Sequence, residues 1–248
     1  MHRFVIDPGN IDGNLIKICG DDLKHLRLVL RLKTGDKIQV FDGREVEYEA
    51  VLTDVNKERA YAEILSSYRP DTEPRIKLTL FQGLPKGDKM DLIIQKSVEL
   101  GVHRIVPVLT ERTVVQLDSK SGRKKTERWN RIAKEAAKQC RRAYIPEVGE
   151  PIKFAEVLKK VEDFDAAVMM YENEEKKCLK ELLKCYTINK IEDIAIFIGS
   201  EGGFSTDEVK RCKTAGFDIV SLGKRVLRTE TAAISAVSII MYEMGELQ

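Results

Sequence analysis

Two different spacings of apolar residues divide the chain. Up to residue 68 the apolar positions fall in short β-rich runs: Leu15–Ile18, Lys37–Phe41, Glu45–Leu52 and Ala60–Leu65. Turn signals such as Thr34-Gly35-Asp36 and Asp42-Gly43-Arg44 separate them. Between them Asp21–Leu32 (DDLKHLRLVLRL) carries leucines at 23, 26 and 30, the spacing of one helical face. Short strands plus one helix predict a small β-barrel. The stretch Arg69–Arg75, with prolines at 70 and 74 and mixed charge, predicts a linker. Beyond it strands alternate with helices. Lys77–Gly83, Arg104–Leu109, Phe164–Tyr171, Ile194–Ile198 and Asp218–Leu222 read as strands. Asp88 can cap a helix with apolar positions at 90, 93, 94, 98 and 100 that ends at Gly101. This alternation predicts an α/β fold with a parallel sheet covered on both faces. The expected domains are residues 1–68 and 76–248, joined by a linker at 69–75.

Composition narrows the class. The 248 residues are 43% hydrophobic and 33% charged, ordinary for a globular protein. No apolar run reaches membrane-spanning length, and the opening MHRFVIDPGN lacks the layout of a signal peptide. Cysteines 19, 140, 178, 185 and 212 form no CxxC pair. These features predict free thiols and a reducing cytoplasm, with no membrane partner. Histidines 2, 25 and 103 have no metal-ligand spacing, so no metal site is predicted.

The net charge of +2 conceals a local excess. Between Lys120 and Arg142 lie ten basic residues: Lys120, Arg123, Lys124, Lys125, Arg128, Arg131, Lys134, Lys138, Arg141 and Arg142. Only Glu127 and Glu135 oppose them, which leaves eight positive charges. On a helical wheel Glu127–Arg142 places Trp129, Ile132, Ala133, Ala136 and Cys140 on one side. Arg128, Arg131, Lys134, Lys138 and Arg142 fall on the other, behind a flexible basic leader at 119–125. A neutral solvated face usually mixes signs, so this one predicts contact with a nucleic-acid backbone.

Candidate chemistry sits in two turns. IAIFIGSEGGFS (Ile194–Ser205) is a buried strand running into Gly199-Ser200-Glu201-Gly202-Gly203. The turn matches neither the dinucleotide fingerprint nor the P-loop, and it is not a nucleophile elbow. Ser205-Thr206-Asp207-Glu208 then reads as a capping box for a helix Thr206–Ala215. A second turn, Leu222–Ala232 (LGKRVLRTETA), follows the next strand and leads into a helix Thr231–Met244. That helix has a nearly charge-free face at 232, 233, 236, 237, 240 and 244, suited to another protein surface. Ligands of open parallel sheets sit at the carboxyl ends of the strands, where both turns lie. A glutamate in the turn opposes phosphate. The expected ligand is nucleoside-like, phosphate-free and carries a positive centre.

At these residues the chain resembles the RsmE family of 16S ribosomal RNA (uracil-N3)-methyltransferases, of the SPOUT superfamily. The resemblance rests on IGSEGGFS at 198–205 with LGKRVLRTETA at 222–232. It extends to MHRF at the start, HLRLVLRLKTGDKIQVFDG at 25–43 and LPKGDKMDLIIQKSVELGVHRIVPVLTERTV at 84–114. It implies an N-terminal PUA-like β-barrel that holds RNA and a C-terminal α/β domain with a deep trefoil knot. It also implies a homodimer, S-adenosylmethionine as cofactor, and 16S ribosomal RNA or the 30S subunit as partner. Carried over, the cofactor pocket uses Ile198, Gly199, Glu201, Gly202 and Gly203 of the first turn. Leu222, Gly223, Val226, Leu227, Arg228 and Thr231 come from the second, with Met170, Tyr171 and Glu172 as a third wall. RNA contacts are expected from Arg123, Lys124, Lys125, Arg128, Arg131, Lys134, Lys138, Arg141, Arg142 and Arg31. Two departures stand out: Ser200 where the family commonly has proline, and KQCRR at 138–142 where it commonly reads EQCGR.

The implied reaction removes the proton of uracil N3. Arg228 is the first candidate to stabilise the resulting anion and Arg225 the second, against the plainer reading of a salt bridge to Glu230 or another carboxylate. Glu201 and Glu230 are candidate proton acceptors, although Glu230 equally suits a helix N-terminus. Two alternatives stay open at this point. One is the same fold acting on another base or on transfer RNA; the other is an RNA-binding assembly factor without chemistry.

Overall fold

The computed structural model describes residues 1–115 and 119–247. The chain divides into two compact units, Met1–Glu73 with Ala137–Ile145, and Pro74–Ala136 with Pro146–Gln248.

In the first unit β1 (His2–Val5), β2 (Ile11–Asp12), β3 (Leu15–Ile18), β4 (Lys37–Phe41), β5 (Glu47–Val55) and β6 (Ala60–Tyr68) form one sheet. Its order is β1-β4-β5-β6-β3-β2, with β1 parallel to β4 and the other pairs antiparallel. Alternate residues of the longer strands enter one cluster: Ile16 and Ile18, Ile38 and Val40, Ala50 and Leu52, Ala60 and Ala62. The period of two in the sequence is the geometric cause. Leu23 and Leu26 close the cluster from α1 (Gly20–Lys24) and the π-helical turn His25–Val29 that continues it.

The second unit holds β7 (Lys77–Gly83), α2 (Lys89–Glu99), β8 (Arg104–Leu109) and most of α3 (Ser119–Gln139). The short β9 (Glu147–Val148) and β10 (Ile152–Lys153) precede α4 (Phe154–Lys159) and β11 (Ala166–Met170). α5 (Leu179–Asn189), β12 (Asp193–Ile198), α6 (Thr206–Thr214), β13 (Asp218–Val220) and α7 (Thr229–Glu243) complete it. The strands run in the order β10-β8-β7-β12-β11-β13, with β9 beside β8, and every pair is parallel. β12 lies mid-sheet, and Ile194, Ala195, Ile196 and Phe197 are all buried because helices cover both of its faces. Phe197 stacks on or edges against Phe81, Phe154, Phe204 and Phe217.

Three expectations change. The leader at 119–125 is not a flexible approach but the first turns of α3. α3 stops at Gln139, and Arg141 turns the chain with a positive φ of 65°. The apolar face of α7 is not offered to another protein. Ala233, Ala236, Val237 and Ile240 are buried within the unit, where α7 packs on α2 and α5.

Candidate functional site

The two turns read from the sequence meet at the carboxyl end of the parallel sheet. Gly199, Ser200, Glu201 and Gly203, after β12, face Leu222, Gly223 and residues 225–229, after β13, across one cavity of about 390 Å³. Met170, Tyr171 and Glu172, at the end of β11, form the third wall. The volume falls in the range of small-molecule sites.

Buried hydrogen bonds hold the turns together. Thr229, the first residue of α7, donates its hydroxyl to the carbonyl of Gly199 at 2.6 Å. Gln82 of β7 donates its amide to Thr229 Oγ1 at 2.9 Å and to the carbonyls of Gly83 at 2.9 Å and Gly199 at 3.3 Å. The start of α7 thus reaches back over β11 to the end of β12. Backbone contact is equally close: a Cβ at Gly83 would lie 2.5 Å from Ser200 N and 2.8 Å from Gly199 C. Only glycine fits there. At Gly203 the constraint is doubled. Its φ is +64°, and a Cβ would lie 2.5 Å from Glu172 Oε1.

Glu201 has a specific partner. Its Oε1 accepts a hydrogen bond from Lys89 Nζ at 2.8 Å, and its carboxylate also accepts the Lys86 backbone N–H at 3.1 Å. Burial by itself raises the Glu201 pKa. The hydrogen bonds from Lys89, the turn's own backbone and the Lys86 N–H outweigh it and hold the carboxyl below its usual range. The cation that balances the turn's carboxylate therefore comes from α2, within the protein. Lys89 Nζ also lies 4.0 Å from Glu230 Oε2, a buried oxygen with no hydrogen-bond partner among the described residues. Among the described residues neither Arg225 nor Arg228 forms an ion pair, so the plainer salt-bridge reading of both is not realised. Both are exposed and line the cavity.

Most expected pocket residues converge. Ile198, Leu222, Gly223, Val226, Leu227 and Arg228 line the cavity with those already named. Gly202 and Thr231 do not. Gly202 turns outward, its carbonyl accepting from Arg112 at 2.8 Å, and Thr231 is exposed on the first turn of α7. Lys89, Ser200, Thr229 and Ala232 also line the cavity; Ser200, Thr229 and Ala232 belong to the two turns, and Lys89 comes from α2. Lys89 opens α2, whose N-cap residue Asp88 makes no side-chain capping bond, and no local pattern marks it. Thr229 opens α7 two residues ahead of the expected start at Thr231.

The donor set fits an adenosine bearing a cation better than a phosphate. Ile198, Leu222 and Leu227 supply apolar walls, Glu172 an acceptor and Ser200 a buried hydroxyl oxygen without a partner. The first turn of α7 lines the cavity and its cap residue Arg228 makes no side-chain capping bond, but the carboxylates of Glu172 and Glu201 in the same lining oppose a phosphate there. The N-terminus of α6 is closed by its own capping box, Ser205 with Glu208. Glu208 is buried and also accepts the Glu111 N–H at 2.8 Å.

The basic segment is less positive in space than in sequence. In the second unit Arg128 is bound to Asp91 and lies 3.4 Å from Asp88. Arg123 lies 3.8 Å from Glu150. Lys124 and Arg131 are exposed; Lys125 and Lys134 are half-buried. In the first unit Lys138 pairs with Asp22 at 3.2 Å. Arg142, expected on the exposed face, is buried and binds Glu73 through Nε and Nη2 at 2.9 and 2.8 Å. It serves the first unit's interior, because a buried guanidinium needs its carboxylate. Arg141 and Arg31 are exposed.

Comparison with known proteins gives a consistent result. The family described as RNA methyltransferase domain matches residues 72–241, and RNA methyltransferase PUA domain matches 18–65. The chain is 36% identical over 228 residues to a Bacillus subtilis protein named ribosomal RNA small subunit methyltransferase E, covering 91% of this chain and 89% of that one. A protein of the same name from Aquifex aeolicus is 31% identical, with 97% and 99% covered. Among solved structures, a ribosomal RNA small subunit methyltransferase E from Neisseria gonorrhoeae, bound to S-adenosyl methionine, aligns over 100% of both chains at 35% identity and TM-score 0.88. A Legionella pneumophila structure in complex with the bound cofactor SAM aligns at 32% identity and TM-score 0.85, covering 97% of this chain and 96% of that one.

Proposed function

The chain belongs to the family of the ribosomal RNA small subunit methyltransferase E proteins, and from that membership we propose that it methylates N3 of a uridine in 16S ribosomal RNA with S-adenosylmethionine as donor. It is an RNA methyltransferase with an N-terminal PUA-like domain and a parallel α/β domain. The observation that carries the reading is the single cavity formed by the turns after β12 and β13, pinned by Gln82, Thr229 and Gly199.

When bound, the cofactor supplies an electrophilic methyl group on a sulfonium centre and leaves as a neutral thioether. The chain's own residues do the rest. Ile198, Leu222 and Leu227 would hold the adenosine by their apolar side chains, and Glu172 and the Ser200 hydroxyl would serve its polar groups. Uracil N3 becomes nucleophilic once it loses its proton. With a pKa about two units above neutrality this costs roughly 3 kcal/mol. Arg228, uncommitted at the pocket edge, stabilises the resulting anion, with Arg225 beside it. Glu201 is a poor proton acceptor because its ion pair holds it ionised; its work is to fasten the first turn to α2. Glu230 is the remaining acceptor: its buried Oε2 receives no hydrogen bond among the described residues and has Lys89 Nζ only at 4.0 Å.

The return of α7 from the sheet edge to the end of β12 agrees with a trefoil knot, and we extend the reading to a knotted homodimer acting in the cytoplasm. Among the described residues no helix is long and apolar enough to cross a membrane. RNA contact falls to Lys124, Arg131 and Arg123 in the second unit and to Arg31 and Arg141 in the first. Mass mapping of nucleosides in small-subunit RNA from cells lacking the protein tests the assignment. The reading predicts that one 3-methyluridine disappears and returns with the wild-type protein, and that Arg228→Ala restores it at least tenfold more slowly. An unchanged nucleoside profile contradicts it.

A further inference from the structure

Helical spacing sends Leu23, Leu26 and Leu30 to the first unit's core and sends positions 28 and 29 to the opposite side. Leu23 and Leu26 are buried as expected, and Leu30 and Leu32 pack partly against the same cluster. Positions 28 and 29 are nonetheless apolar. Leu28 and Val29 are each 66% exposed, side by side in the π-helical turn. Just beyond, Arg31 holds a positive φ of 55°. Widened helical turns and left-handed non-glycine residues both cost free energy and gather at working sites. Four cations (Lys24, Arg27, Arg31 and Lys33) and no acid occur between residues 24 and 33. Lys24 pairs with Asp21 at 2.9 Å, while Arg31 and Lys33 are exposed and Arg27 is half-buried.

We propose that Leu28 and Val29 form an apolar wedge that packs on an unstacked base of the RNA substrate, with Arg27, Arg31 and Lys33 on the flanking phosphates. The inference rests on the RNA reading above and adds a contact that neither the cofactor pocket nor α3 contains. Charge selects the occupant. Apolar side chains flanked along the chain by cations suit a polymer that offers flat base faces between phosphates. A second copy of the chain meeting this patch across a two-fold axis brings like charges together.

The test uses the full-length protein and a fluorescently labelled small-subunit RNA transcript. Affinity is measured by anisotropy at low and high salt for the wild type, for Leu28→Ser with Val29→Ser, and for Lys33→Gln. The double variant should bind about tenfold more weakly, by the same factor at both salts, because an apolar contact releases no counterions. Lys33→Gln should instead flatten the salt dependence by about one unit of slope. The melting temperature, sedimentation mass and S-adenosylmethionine affinity of the double variant should match the wild type. Wild-type RNA affinity in the double variant overturns the wedge and leaves the methyltransferase reading standing. A changed sedimentation mass assigns the patch to a second copy and overturns it too. Failure of the wild type to bind the transcript removes the RNA reading, and the wedge with it.

Discussion

At Glu201 a carboxylate in a glycine turn is held by a lysine on the neighbouring helix, and that pairing sets the pocket's electrostatics. Lys89→Met leaves Glu201 with only backbone donors. The pair is about one-third exposed, so the loss is discounted to about 1 kcal/mol, or about fivefold weaker S-adenosylmethionine binding. Titration calorimetry reads it. The pH dependence has a definite sign. The folded-state pKa of Glu201 is depressed, so its stabilisation is present above the ordinary glutamate range and is lost as pH falls through the folded value. In Lys89→Met the acid loss of binding should begin at higher pH than in the wild type. Thr229→Val makes a sharper case. It removes the hydroxyl that joins the Gln82 amide to the Gly199 carbonyl; the amide keeps the carbonyls of Gly83 and Gly199, and the two lost bonds cost about 0.5–1.5 kcal/mol each. Chemical denaturation should show that loss, with weakened cofactor binding alongside.

At the scale of elements, the cysteines report on packing. Cys212 of α6 is buried, and desolvation followed by the nearby Glu208 charge raises its thiol to about 12. Cys19, Cys178 and Cys185 are exposed. Brief alkylation of the native protein followed by peptide mass analysis should modify those three and spare Cys212; early labelling of Cys212 would mean that α6 does not pack as described. The strands and helices themselves were legible because their periods are simple. The strands Lys77–Gly83 and Arg104–Leu109 and the capping box at Ser205 were readable residue by residue. α3 was legible as a helix but not as a charge distribution. The excess of eight positive charges between Lys120 and Arg142 is offset in part by Asp22, Glu73, Asp88, Asp91 and Glu150, which lie far away in the sequence. The apolar face of α7 likewise could not say whether its partner was α2 or another chain.

Over the whole molecule, what the sequence concealed is what long-range folding creates. The turns at 199–203 and 222–229 each carried a signal, and strand ends of one parallel sheet placed them on one side. Their fastening came from Gln82 and Thr229, ordinary polar residues with no local pattern. Gly83 was read as the end of a strand, although its role is to let the backbone of the first turn approach within contact distance. Gly83→Ala therefore tests the architecture at one atom. The added methyl must push Ser200 and Gly199 away, an overpacking cost of about 1–3 kcal/mol. Thermal unfolding should record that destabilisation, and the cofactor affinity should fall with it.

The most direct measurement is a calorimetric titration of S-adenosylmethionine into the full-length protein, wild type and Gly203→Val. Saturable binding of one molecule per chain, lost in the variant that fills the space beside Glu172, is the predicted result. Absence of binding heat in the wild type, or undiminished affinity in the variant, would contradict the assignment of this cavity to the methyl donor.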